Sequence, residues 1–140
     1  MARIQYAADT SVAIAALDET HEAHLPTLAA VARCRPALAG HAGWETYSVL
    51  TRLPGSLRVS PAVAHDVLRR SFPDACWLDA ADQAALFDRL PTLGITGGAV
   101  YDALVGAAAI SAGRRLLSRD RRADRTYSLL GTDVEFITDA

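Results

Sequence analysis

Four carboxylates that lie far apart in the chain, Asp9, Glu45, Asp102 and Asp120, are the side chains best placed to do chemistry. Asp102 has the strongest physical claim, because it is the only charged residue in AVYDALVGAAAISA (residues 99–112), a run that is apolar almost all the way round. Such a run forms a helix buried on most of its faces. An unpartnered carboxylate inside it costs several kcal/mol or stays protonated. Asp102 is therefore expected to face a cleft, a cation or a metal, the alternative being one exposed stripe. Asp9 and Asp120 each follow an apolar run and open a helical one, so each is a natural N-cap. In open parallel sheets that same place, just past the carboxyl end of a strand, is where ligands bind. Glu45 is the sole acid between Glu22 and Asp66 and sits beside Trp44 and Tyr47. Taken alone, it is ordinary solvated helix surface.

Joint placement changes the chemistry. Carboxylates about 4 Å apart at an effective dielectric near 20 repel by roughly 4 kcal/mol per pair, so a cluster of four requires cations. Hard oxygen ligands suit Mg²⁺ or Mn²⁺. Two such ions stabilise the attacking and leaving oxygens of a phosphodiester displacement, and one of them lowers the pKa of a bound water.

The elements that must position these acids are legible as an alternation of short apolar runs and amphipathic segments. RIQYAA (3–8) reads as a strand, and Asp9-Thr10-Ser11 then begins a small-residue helix through about residue 17. A second helix covers 22–33, with Leu25, Leu28, Ala29 and Ala32 on one face and Pro36 beyond its end. A brief strand follows at 37–39. A helix over 43–53 stops at Pro54-Gly55, and Ser60-Pro61 opens another that ends near Phe72. Further on come a strand at 75–78, a helix over about 80–90, the Gly-rich connection LGITGG, the apolar helix 99–112, a strand at 114–118, a helix over 121–130 and a last strand at 134–137. Strands alternating with helices predict an α/β fold with a parallel central sheet of four to five strands, covered by helices on both faces. At 140 residues the chain fits one domain, 1–140.

Composition narrows the classes. Hydrophobic residues make up 51% of the chain and charged ones 21%, and no stretch reads as a membrane span. The opening MARIQYAADTSV has one Arg and no long apolar core, so a cytoplasmic location is expected. Cys34 and Cys76 lack metal-ligand spacing and are expected as buried thiols. His21 and His24, three residues apart, have no third ligand at suitable spacing and read as surface histidines. A net charge of −2 does not announce a nucleic-acid binder, but Arg114, Arg115, Arg119, Arg121, Arg122 and Arg125 fall within twelve residues that hold only two acids, Asp120 and Asp124. That patch suits phosphate; its bland alternative is a solvated helix face with ion pairs. Asp124 is expected to be helix surface. Trp44 and Tyr47 are capable of stacking an unpaired base, although core packing is the simpler expectation. No Walker A loop or G-x-S-x-G elbow is present, and a covalent aspartyl phosphatase would need a second Asp where Ser11 stands.

The chain resembles PIN-domain proteins of the VapC toxin group. The resemblance is carried by DTS at 9–11 after the first strand, GWETYSVLTRLPG at 43–55, TGGAVYDAL at 96–104 and LLSRDRRA at 116–123. It implies a single PIN-like domain with the acids gathered at the carboxyl ends of a parallel sheet. Asp9, Glu45, Asp102 and Asp120 match the family's catalytic and metal-binding acids, and Ser11 and Ser118 fall where small polar residues orient them. By the same resemblance the activity is Mg²⁺- or Mn²⁺-dependent endoribonucleolytic cleavage, acting as the toxin of a type II toxin–antitoxin pair that inhibits translation by cutting tRNA, rRNA or mRNA. The implied partners are a VapB-type antitoxin, RNA and a second copy of the chain in a homodimer. Arg119, Arg121 and Arg122 would then hold the RNA backbone. The alternative class is a PIN-like module that captures RNA or a partner with little or no turnover; a pure binder, however, gains nothing from four mutually repelling acids.

Overall fold

The computed structural model describes residues 3–138. Five parallel strands, β1 (Tyr6–Ala8), β2 (Ala37–Ala39), β3 (Ala75–Cys76), β4 (Arg115–Ser118) and β5 (Val134–Phe136), form one sheet in the order β3-β2-β1-β4-β5. Seven helices connect them: α1 (Thr10–Leu17), α2 (His24–Cys34), α3 (His41–Thr51), α4 (Pro61–Ser71), α5 (Ala80–Leu93), α6 (Ala99–Ser111) and α7 (Asp124–Leu130). The expected parallel α/β architecture is the observed one. The helices fall into two mutually packed sets, α1 to α4 and α5 to α7. Right-handed crossovers on a sheet of this order put the two sets on opposite faces.

The strands are short and apolar because both of their faces are covered. Ala7, Ala8, Leu116 and Leu117 are completely buried. The chain runs outward from β1 to β2 and β3, then returns across β1 to start β4. The strand order therefore reverses between β1 and β4, and a crevice opens there beyond the carboxyl ends. Register fixes what lies in it. Ala8 pairs with Leu117, so Asp9 and Ser118 emerge side by side.

Local chemistry sets most boundaries. Ser60 accepts from the Val63 amide at 3.3 Å with Pro61 at the first helical position, as the sequence predicts. The third strand keeps only Ala75–Cys76 of the expected 75–78, and three other segments also differ from expectation. The first strand begins only at Tyr6, because Ile4 lies exposed and pairing to β2 and β4 starts further along. α5 runs on to Leu93 with Pro91 inside its last turn, and Gly94 ends it at φ +69°, a left-handed conformation that glycine adopts without strain. The expected helix 121–130 is split: Asp120 caps a 3₁₀ turn, Arg121–Ala123, and α7 starts after it.

Among the described residues no helix is long and apolar enough to cross a membrane. Cys76 is buried as expected, whereas Cys34, at the end of α2, is only half-buried; both are free thiols. His21 and His24 are half-buried rather than on the surface: the His21 Nδ1 accepts from the Ala23 amide at 3.0 Å, and the His24 Nδ1 lies 2.9 Å from the Ala15 carbonyl.

One glycine sets a helix spacing. A Cβ at Gly106, in the middle of α6, would stand 2.8 Å from the Thr132 Oγ1, 3.0 Å from the Tyr127 Cδ1 and 3.2 Å from the Leu130 Cδ1. Its absence lets α7 approach closely enough for Tyr127 to reach under β1. At an open helix position Gly→Ala stabilises by roughly 1 kcal/mol; here overpacking reverses the sign. Gly106→Ala is expected to lower the stability of the folded chain by about 1–3 kcal/mol, measured as a fall in urea midpoint. A rise in that midpoint would remove the close-approach explanation.

Candidate active site

Asp9, the first residue past β1, is 3% exposed, and its carboxylate is fixed from several sides. The Ser11 hydroxyl donates to Oδ1 at 2.6 Å, the Val12 amide donates to Oδ1 at 3.2 Å, and the Tyr127 hydroxyl donates to Oδ2 at 2.9 Å. Burial pushes the Asp9 carboxyl up, while hydrogen bonds from Ser11, Ser118, Tyr127 and the Val12 amide act in the opposite direction. Capping and site placement thus coexist in one side chain. Ser11 also accepts from the Arg119 amide at 2.9 Å, tying the start of α1 to the end of β4.

Ser118, fully buried at the end of β4, accepts from the Asp120 amide at 3.0 Å. Asp120 in turn accepts at Oδ1 from the Arg122 amide at 3.0 Å, which turns its carboxylate over the crevice. Glu45 stands in the second turn of α3 and accepts from the Thr10 hydroxyl at 3.2 Å. Asp102 stands in the first turn of α6, half-buried. All four acids line one cleft, together with Thr10, Ser11, Ile14, Val105 and Tyr127.

The electrostatics agree with that convergence. The Asp102 carboxyl is pushed up from its ordinary 3.8 to about 6, first by burial and then by the charges of Asp120, Asp9 and Glu45, with Arg122 pulling it down. Three acids from other elements therefore act on Asp102 at once. The Tyr127 phenol is pushed upward, by burial first and then by Asp9, so it stays protonated and can only donate to that carboxylate. Among the described residues, no three acidic, histidine or cysteine side chains already form a closed cage for a metal. Mg²⁺ does not demand one, since it commonly keeps several waters and takes one or two carboxylates directly. Hard oxygen donors that line one cleft and repel one another fit such an ion.

Of the supporting residues inferred from sequence, Ser11 and Ser118 lie at the site and bond its acids or their backbone. Two participants were missed. Tyr127 is separated from Asp9 by 118 residues, and only a buried tyrosine's need for a hydroxyl partner hints at its position. Thr10 was visible as part of the DTS triplet, but its bond to Glu45 was not. The arginine cluster does not stay together. Arg114 and Arg115 lie at the opening of β4, where Arg114 donates to the Tyr6 carbonyl and Arg115 to Asp133, which is the end of a parallel sheet opposite the acids. Arg119, Arg121 and Arg122 follow β4 and remain near the cleft. Arg121 packs over the Phe136 ring at 4.3 Å, and Arg122 is largely exposed with its Nε 3.4 Å from Asp120. Asp124 is exposed, as expected of helix surface. Trp44 and Tyr47 do not pack in the core: both are exposed on α3, Trp44 at 65%.

A parallel α/β sheet with its acids collected at the β1/β4 switch point defines a class. The PIN domain family matches residues 6–129, and the chain belongs to that family. Within it the chain falls in the VapC group. It is 44% identical over 133 residues to Ribonuclease VapC40 of Mycobacterium tuberculosis, covering 94% of this chain and 98% of that one. It is 47% identical over 128 residues to Ribonuclease VapC27 of the same organism (strain H37Rv), covering 91% and 93%. The crystal structure of VapBC2 from Rickettsia felis, bound to a DNA fragment from its promoter, shares the fold with a TM-score of 0.64 and 14% identity over 95% of this chain and 98% of that one.

Two outcomes test the electrostatic account. Because the Asp102 pKa is higher in the folded state, its contribution to the stability of the metal-free protein is fully present below about pH 4 and is lost as pH rises through about 6. Asp102→Asn is expected to be more stable than the unsubstituted chain at pH 8 by about 1 kcal/mol, half-exposure having screened the rest, with the gap closing by pH 4. Urea unfolding at the two pH values in chelator reads it; equal stability at both would remove the repulsion. Tyr127→Phe deprives Asp9 of a donor and is expected to destabilise by about 1–3 kcal/mol at pH 8, measured in the same way.

Proposed function

We propose that this chain is an endoribonuclease that depends on Mg²⁺ or Mn²⁺ and acts as the toxin of a toxin–antitoxin pair. The observation that supports the reading best is the convergence of Asp9, Glu45, Asp102 and Asp120 on one cleft, where burial first and then the charges of the other three acids raise the Asp102 carboxyl to about 6. Divalent ions bound by those acids would neutralise the developing charge of a phosphodiester transition state and make water nucleophilic near neutral pH. The chain's own residues do the positioning. Tyr127, Ser11 and the Val12 amide hold Asp9 in one orientation, so no reorganisation of that carboxylate is needed when phosphate arrives. Thr10 holds Glu45 across the cleft from it. Arg122, exposed at the rim beside Asp120, is available to an RNA phosphate as the acids take up cations.

RNA as substrate rests on the ribonucleases VapC40 and VapC27, which this chain resembles along more than nine-tenths of its length. A VapB-type antitoxin as partner rests on the same relatives and on the VapBC2 complex that shares the fold. A homodimer and a cytoplasmic setting complete the proposal on family grounds alone.

Incubation of the pure chain with total RNA in Mg²⁺ or Mn²⁺ is expected to give endonucleolytic fragments that chelator abolishes. Asp9→Asn is expected to slow cleavage on the order of 10³-fold. Cleavage that survives chelator, or that persists in Asp9→Asn, overturns the metal-dependent reading. RNA binding without cleavage under every metal condition points instead to a capture module.

A further inference from the structure

The acidic cleft has a neighbour that the phosphodiester chemistry does not use. Glu45 lines the acidic cleft and also a second depression whose walls are His41, Trp44, Ser48, Val49, Arg52 and Tyr101. His41 and Trp44 then line a third, with Trp77 and Gln83. Their shared lining residues place the three side by side, from the acids along α3. Beyond the acids the walls are aromatic and their rings are ordered. His41 and Tyr101, from the two opposite helix layers, stack with centroids 5.0 Å apart and planes 14° apart; Trp44 and Trp77 meet edge to face at 6.3 Å. Trp44, Trp77 and Tyr101 are nevertheless about half-exposed or more.

Large rings left in water side by side mark an interaction surface. Two features favour a nucleic-acid strand as the occupant over a protein. Trp44 and Tyr101 line the same depression as Glu45, which also lines the acidic cleft, so a strand whose phosphate enters the cleft brings its next bases to the rings. This surface is also rimmed by a cation and neutral donors, Arg52, Ser48 and Gln83, as suits a backbone carrying one negative charge per nucleotide. We infer that His41, Trp44, Trp77 and Tyr101 form a stacking shelf for unpaired bases of single-stranded RNA adjacent to the phosphate held in the acidic cleft. The inference rests on the ribonuclease reading for the identity of the strand. Stacking of this kind tolerates every base, so the shelf selects unpaired over duplex RNA and leaves sequence choice to other contacts.

The chain holds two tryptophans, and both are on the shelf, so its tryptophan emission reports on this surface. The full-length chain carrying Asp9→Asn to prevent cleavage, with Mg²⁺ present to offset the acids' charge, is titrated with a short oligouridylate and with an abasic oligomer of the same length and charge. Quenching by the oligouridylate and little by the abasic oligomer is expected. Trp77→Ala, which lies outside the acids, is expected to weaken oligouridylate binding about 5- to 150-fold and, with Asp9 intact, to raise KM for cleavage with kcat nearly unchanged. Leu25→Ala, an exposed apolar side chain on α2, should change neither. Equal affinity for the abasic and base-bearing strands overturns the shelf. So does an emission that shifts with protein concentration, in step with dimer mass, and that no oligomer alters; the rings are then covered by a second copy. Base-dependent quenching when the unsubstituted chain never cleaves RNA sinks the ribonuclease reading and leaves the shelf standing, whereas cleavage by that chain without base-dependent quenching sinks the shelf alone.

Discussion

Asp9 is a carboxylate with almost no water around it, kept in place by donors from three parts of the chain. Ser11 and the Val12 amide come from the helix it caps, Tyr127 from α7, and Ser118 from the neighbouring strand. Without those bonds, burying the charge would cost several kcal/mol. The donors reach Asp9 only if β1 and β4 are adjacent in register and α7 is pressed close against α6. The carboxylate thereby ties the sheet order, the register and the α6–α7 spacing to one point. Gly106 belongs to the same arrangement, because a methyl group there would strike Thr132 and crowd Tyr127.

Around that fixed charge the other acids are held less tightly, and each from a separate element. Glu45 rides on α3 and Asp102 on α6, one helix from each face of the sheet, while Asp120 follows β4. Their separation in the fold is what makes the cluster a receptor. Held on separate elements anchored by their own cores, the carboxylates keep a negative potential in the cleft, which adds to burial in raising the Asp102 carboxyl. Stability is given up where function needs charge, the usual relation between a binding site and its scaffold.

The aromatic surface beside the cleft follows the same economy of placement. Because Trp44 and Tyr101 line the same depression as Glu45, the packing that gathers the carboxylates also lines up the rings. His41 stacked on Tyr101 joins the two helix layers at the crevice mouth.

Much of this was legible in the residues. The alternation of strands and helices, the Ser60-Pro61 cap, the anomalous charge in 99–112 and the two acids after strands are local patterns, and local patterns survive into the fold. What failed to read through was non-local. Tyr127 and Asp9 are joined by a hydroxyl across 118 residues, and no spacing rule reaches so far. Burial of Trp44 depends on which neighbours cover its face of α3, and the edge of Trp77 leaves it 65% exposed. The arginines looked like one patch because they are close in sequence, yet a strand carries Arg114 and Arg115 to one end of the sheet and Arg119, Arg121 and Arg122 to the other. The sequence by itself determined which carboxylates would be costly to bury and which strands would display them. Only the tertiary structure decided that they meet, since strand order and helix spacing are set by the packing of the whole chain.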